Sequence, residues 1–126
     1  DVTIPENSFV QSLTTDRLLE YLGFSFFALM AAVLEEIVFR GGLQGALERT
    51  PIGPAGAVII AGFIFAVGHG GYLDPPGIKE VQIFGLAVIF GFAKIRHGLQ
   101  AAVWLHLVNN AFYLILQFFV EDMMGF

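Results

Sequence analysis

Charged residues divide the chain into four apolar stretches. Leu22 to Leu34 is apolar, then Glu35, Glu36 and Arg40 interrupt it, and apolar character resumes through Leu47. No charge occurs from Thr50 to Gly68, Val81 to Ala93 is again apolar, and Gly98 to Val120 is free of acids, lysine and arginine. A helix needs about 20 residues to cross a hydrocarbon core of about 30 Å. The second and fourth stretches meet this directly. The third meets it with its flanks, from Ile78 to Ile95, where Lys79, Glu80, Lys94 and Arg96 reach the headgroups. The first is longer and carries its charges midway. Thr14, Thr15 and Asp16 offer N-caps, so the first helix is expected to start near Arg17. Turns are predicted at Arg49-Thr50-Pro51-Ile52-Gly53-Pro54, from Gly70-Gly71 through Asp74-Pro75-Pro76-Gly77, and at His97-Gly98. The pattern predicts an all-α integral membrane bundle of about four transmembrane helices. It forms a single unit over residues 1–126, with a polar segment at 1–16 and no internal repeat.

Composition agrees with solvation by lipid. Hydrophobic residues make up 56% and charged residues 13% of the 126 positions, against roughly 25% charged in an ordinary soluble domain. The mean hydropathy is +0.75. A net charge of −5 leaves no basic stripe to neutralise phosphates, which excludes a nucleic-acid partner. The absence of cysteine excludes disulfides, thiolate metal sites and a cysteine nucleophile. The polar start from Asp1 to Asp16 reads as neither a signal nor a transit peptide. The chain is therefore expected to be a processed or truncated product, or the ordered part of something longer. The lysine and arginine count, with Arg49, Lys94 and Arg96 in the first and third turns, leans toward both termini on the non-cytoplasmic side without fixing the sign of the topology.

Three ionisable residues within six positions of an apolar helix need an explanation, since each costs roughly 2.5–3.5 kcal/mol near the bilayer centre. Glu36 and Arg40 are spaced i,i+4 with the acid first, the favourable order for a helical ion pair, and so read as structural support. Glu35 points about 100° away from Glu36 and is left over. His69 ends the second stretch, while His106 and Asn110 lie one turn apart on one face of the fourth, with Asn109 beside that face. Counting from Pro51 at about 1.5 Å per residue, Glu35 and His69 rise roughly 24 and 27 Å and come level. His106 and Asn110 stand about 13 and 20 Å beyond His97, a convergent height if the first hairpin protrudes further. Gly41 and Gly45, with Gly53, Gly56 and Gly62 opposite, are expected to let the first two helices approach closely. His97, beside Lys94 and Arg96, reads as interfacial. The Phe-rich stretches read as lipid- or core-facing packing.

The segment Glu35-Glu36-Ile37-Val38-Phe39-Arg40-Gly41 resembles the EExxxR(G) motif of the CAAX-protease and bacteriocin-processing family of intramembrane proteases, which includes the type II CAAX prenyl endopeptidases and the bacterial "abortive infection" homologues. Phe65 to His69 is similar to its FxxxH motif and His106 to Asn110 to its HxxxN motif, in the same order. The resemblance covers roughly Leu29 to Leu114. It implies an endopeptidase in which Glu35 activates a water, His69 helps hold that water, His106 and Asn110 donate to the oxyanion, and Glu36 and Arg40 fix the helix carrying Glu35. A membrane-associated or prenylated peptide is the implied substrate class.

The residues leave alternatives open. Glu35, His69 and His106 would make a three-ligand zinc set, although a metal-free glutamate mechanism is the expectation. A second reading is a non-catalytic, protease-like subunit of a larger membrane complex, contacting partner helices or a tetrapyrrole pigment through His69, His97, His106 or Asn110. A third, an ion or proton carrier, would use the same buried groups as a relay.

Overall fold

The computed structural model describes residues 15–70 and 77–124, and every regular element among them is helical. Helix α1 (Thr15–Glu36) continues without a break into a π-helix (Ile37–Gln44) and a short α-helical end (Gly45–Leu47). Helices α2 (Gly53–Gly68), α3 (Ile78–His97) and α4 (Leu99–Met124) follow. The expected start near Arg17 agrees with the observed start at Thr15. Residues 1–14, and 71–76 of the predicted second loop, lie outside the described residues.

The turns form where proline, glycine and threonine place them. Thr50 caps the first helix by donating from Oγ1 to the Leu47 carbonyl at 2.7 Å. Pro54 sits in the first turn of α2, where a missing N–H costs nothing. Gly98 alone joins α3 to α4, at φ +89°, a conformation that favours glycine.

The first helix, from Arg17 to Leu47, and α4, from Leu99 to Val120, are long and apolar enough to cross a membrane. Helix α2 is shorter at 16 residues, about 24 Å. Large apolar side chains cover the outside, among them Phe26, Phe27, Phe63, Val81, Trp104 and Phe112, each more than half exposed. The interior is built mainly from small residues, with Ala32, Ala57, Ala61, Ala66, Ala87 and Ala102 all buried. In lipid, where apolar burial gives helices little drive to associate, small residues let backbones and dispersion contacts come close.

Helix α2 packs along α3, α1 along α4, and α3 against α4, while the π-helical stretch closes the bundle against α2. The expected glycine seam between the first two helices is not the one that forms. A Cβ on Gly41 would meet Leu99 of α4 at 3.5 Å, and one on Gly45 would meet only its own helix. The tight contact lies instead between α2 and α3. There Gly62 faces Ala87 and Phe84, and a Cβ on Gly91 would fall 2.8 Å from Val58 Cγ1 and 3.0 Å from Gln44 Oε1. The GxxxG spacing identified a face bearing glycines, but the partner across that face is set by tertiary packing.

Candidate active site

The i,i+4 pair expected from the sequence forms: Arg40 Nε lies 3.2 Å from Glu36 Oε2, with both side chains almost completely buried. It belongs to a longer column. Glu36, Arg40, Gln44 and Glu48 follow one another at four-residue steps. In an α-helix four residues overshoot a turn by about 40°, so such a column would spiral away. The wider π-turn reduces that drift and keeps the first three facing inward, where all are buried. Arg40 Nη2 donates to the Ala87 carbonyl at 3.1 Å, and Gln44 Nε2 to the Gly91 carbonyl at 3.2 Å and to Glu48 Oε1 at 2.9 Å. Lys94 Nζ closes the column on Glu48 Oε2 at 2.6 Å. The Arg40 guanidinium also lies over the Phe65 ring, 4.7 Å from its centroid, a cation–π contact in a desolvated place.

Glu36 has a second partner that its local spacing does not reveal. Its Oε1 accepts from His106 Nδ1 at 2.8 Å, across 70 positions of sequence, with both side chains buried. Phe90 stacks on the His106 ring at 5.1 Å and fixes its plane. His69 is held in a parallel way. It caps the C-terminus of α2, its Nδ1 lies 2.8 Å from the Phe65 carbonyl, and the Phe65 ring tilts against it at 4.4 Å.

These two supports bring the predicted residues together. His69 Nε2 lies 3.9 Å from Glu35 Oε1, and His106 Nε2 lies 3.8 Å from Glu35 Oε2. Glu35 is 31% exposed, whereas Glu36 is fully buried. Glu35, His69, His106 and Asn110 line one cavity of about 250 Å³, walled by Phe65, Phe90, Ile83 and Leu86. The level heights read from helix rise for Glu35 and His69 are therefore observed. Asn109, set beside the site by helical phase alone, also lines the cavity and donates to Asn110 Oδ1 at 3.4 Å. Asn110 in turn donates to the Ala28 carbonyl at 3.3 Å, tying α4 to α1. One amide hydrogen of Asn110 is thus engaged and the other remains for the cavity.

His97 lies at the far end of α3, exposed, and is not part of this cluster. Among the described residues no group of three or more His, Asp or Glu side chains is placed to hold a metal ion. For the zinc set of Glu35, His69 and His106, the two imidazole nitrogens face different carboxylate oxygens, each nearly 4 Å away.

A model of the family described as type II CAAX prenyl endopeptidase Rce1-like matches residues 17–112. The chain belongs to this family. The matched stretch contains every residue of the cluster, from Glu35 to Asn110. No curated protein and no solved structure matches the chain. Membership of the Rce1-like endopeptidase family and the two long apolar helices together make this a membrane protein. The resemblance carried by the EExxxR(G), FxxxH and HxxxN motifs is borne out. Gln44, Glu48 and the link from Glu36 to His106 are what the sequence did not disclose. The repeated four-residue spacing from Glu36 to Glu48 was the signal for the first two.

Proposed function

We propose that the chain is a multi-pass intramembrane endopeptidase in which Glu35 is the general base for water attack on a peptide bond. The observation supporting this is the placement of the Glu35 carboxylate between two imidazole nitrogens at 3.9 and 3.8 Å, at the edge of a small cavity. Each gap is shorter than two hydrogen bonds of about 2.8 Å, so one water oxygen can reach both ends of it. Apolar walls exclude competing water and strengthen the electrostatic interactions within. Asn110, and His106 once its Nε2 carries a proton, would donate to the negative charge developing on the substrate carbonyl. Water attack is the natural chemistry, because among the described residues no Ser, Thr or Lys lines the cavity as a covalent nucleophile. The mechanism is proposed without a metal: a carboxylate base and polar donors suffice for it. Family membership supports a membrane-associated or prenylated peptide as the substrate class.

The test compares neo-N-termini in membranes carrying wild type or Glu35→Gln at matched expression. A defined set of cleavages lost in the variant, and resistant to chelators in wild type, is expected. Identical termini in the two membranes would overturn the proposal, and loss of wild-type cleavage on chelation would overturn its metal-free form.

A further inference from the structure

We propose that Glu36 is the positioning residue for His106: by accepting from Nδ1 it commits Nε2, the nitrogen facing Glu35, to begin the reaction without a proton. The inference rests on the reading of this cavity as a hydrolytic site. A carbonyl oxygen only accepts, so the His69 Nδ1 beside the Phe65 carbonyl carries a hydrogen. Glu36 is paired with Arg40 and is therefore an ionised acceptor, so His106 Nδ1 carries one too. In their neutral forms both rings then turn an unprotonated Nε2 toward Glu35. Three acceptors around one point suit a water, which can donate to two of them and leave its oxygen lone pairs for the substrate.

The same geometry gives His106 a sequence of two roles. As the water oxygen bonds to the carbonyl carbon, the carbonyl electron pair moves onto its oxygen and Glu35 takes a water proton. That proton passes from Glu35 Oε2 to His106 Nε2 across a gap of 3.8 Å, shortened by a small movement of either side chain. The imidazolium so formed donates to the oxyanion, with Glu36 balancing its charge as a buried carboxylate does for a catalytic histidine. When the carbonyl reforms and the C–N bond breaks, the leaving nitrogen takes the proton from Nε2. Water and peptide yield acid and amine, with no proton unaccounted for. His106 thus becomes an oxyanion donor only after the water has given up a proton.

The test is ¹⁵N solid-state NMR of histidine-labelled protein in lipid bilayers at mildly alkaline pH. The His106 signals are identified by their loss in His106→Asn. A protonated Nδ1 with a bare Nε2 is expected, and that preference should be lost both in Glu36→Leu, which removes the acceptor, and in Glu36→Gln, whose amide can donate to Nδ1. A bare Nδ1, a mixture, or protonation of both nitrogens in wild type would overturn the proposal, as would an unchanged tautomer in a folded Glu36→Leu. The wild-type spectrum needs neither a substitution nor a substrate, so it fails or holds separately from the cleavage test on Glu35. On a cleaved peptide, Glu36→Leu should lower kcat on the order of 10²-fold, the lower range for general acid–base catalysis. KM should stay unchanged, and Glu36→Gln, which keeps the side-chain volume but can donate to Nδ1, should not restore the rate.

Discussion

Glu35 and Glu36 are adjacent in the chain and identical in chemistry, yet they sit in opposite electrostatic surroundings. Glu36 is fully buried, with a guanidinium at 3.2 Å and an imidazole at 2.8 Å. Glu35 is 31% exposed, and its imidazole neighbours stop at 3.8 and 3.9 Å, outside hydrogen-bond range. A fully buried carboxylate held between a guanidinium and an imidazole ties the helices that carry them together. An under-coordinated one, held level with two imidazoles, keeps its oxygens for something that is not protein. One residue of helical rotation separates a buried, paired acid from one that lines the cavity.

Breaking the buried ion pair should have the largest effect on stability. Arg40→Ala leaves Glu36 buried without its cation, a change expected to cost about 3–5 kcal/mol; thermal unfolding in detergent micelles should show a large drop in Tm or no folded protein. Next is Gly91→Ala, whose added methyl meets Val58 and Gln44 at close range. Overpacking of this kind costs about 1–3 kcal/mol, and Val58→Ala in the same chain should restore part of the Tm, which a purely conformational effect would not allow. Lys94→Met removes the cation from the partly exposed end of the column, for about 0.2–1 kcal/mol. Glu35→Gln, by contrast, should change stability by less than about 0.5 kcal/mol while abolishing cleavage; a large fall in Tm would mean that the two acids are not divided as described.

The smallest effect concerns pH. Glu48 lies just past the end of the first membrane span. Burial pushes its pKa up, but hydrogen bonds from Lys94 and Gln44 and the Lys94 charge outweigh this and hold it below the ordinary value. A carboxylate depressed on folding contributes stability above its unfolded pKa, about 4.3, and loses it as pH falls through the folded value. The Tm difference between wild type and Glu48→Gln should therefore be present at neutral pH and vanish in acid. A difference that grows on acidification would reverse the sign and contradict the pairing.

The sequence disclosed what is local or depends on helix rise. Four apolar stretches broken by Pro51, Gly77 and Gly98 predicted the helices, the i,i+4 order predicted the Glu36–Arg40 pair, and residue counting from Pro51 brought Glu35 level with His69. What it withheld depends on tertiary phase. Gln44 reads as an interfacial polar residue until the π-turn rotates it inward. The hydrogen bond from His106 to Glu36 depends on how α4 is rotated against α1, which no spacing within either helix specifies. The glycine seam was misassigned for the same reason: Gly41 faces α4, whereas Gly91, isolated in sequence, takes the closest contact. Asn109 joined the cavity because α4 offers it a wider arc than a single helical face.

The short length of α2 carries a further consequence. The helix begins at the turn around Pro51 and stops at His69, 3.9 Å from the Glu35 carboxylate. Its rise of about 24 Å therefore acts as a ruler laid across the bilayer from one face. Under the proposed function, a bond presented to Glu35 would be met at that depth if α2 crosses upright, short of the opposite surface of a hydrocarbon layer about 30 Å thick. Selection among peptides would then begin with geometry: the scissile bond must lie at the right distance from whatever anchors the peptide in the membrane, before any side chain is read.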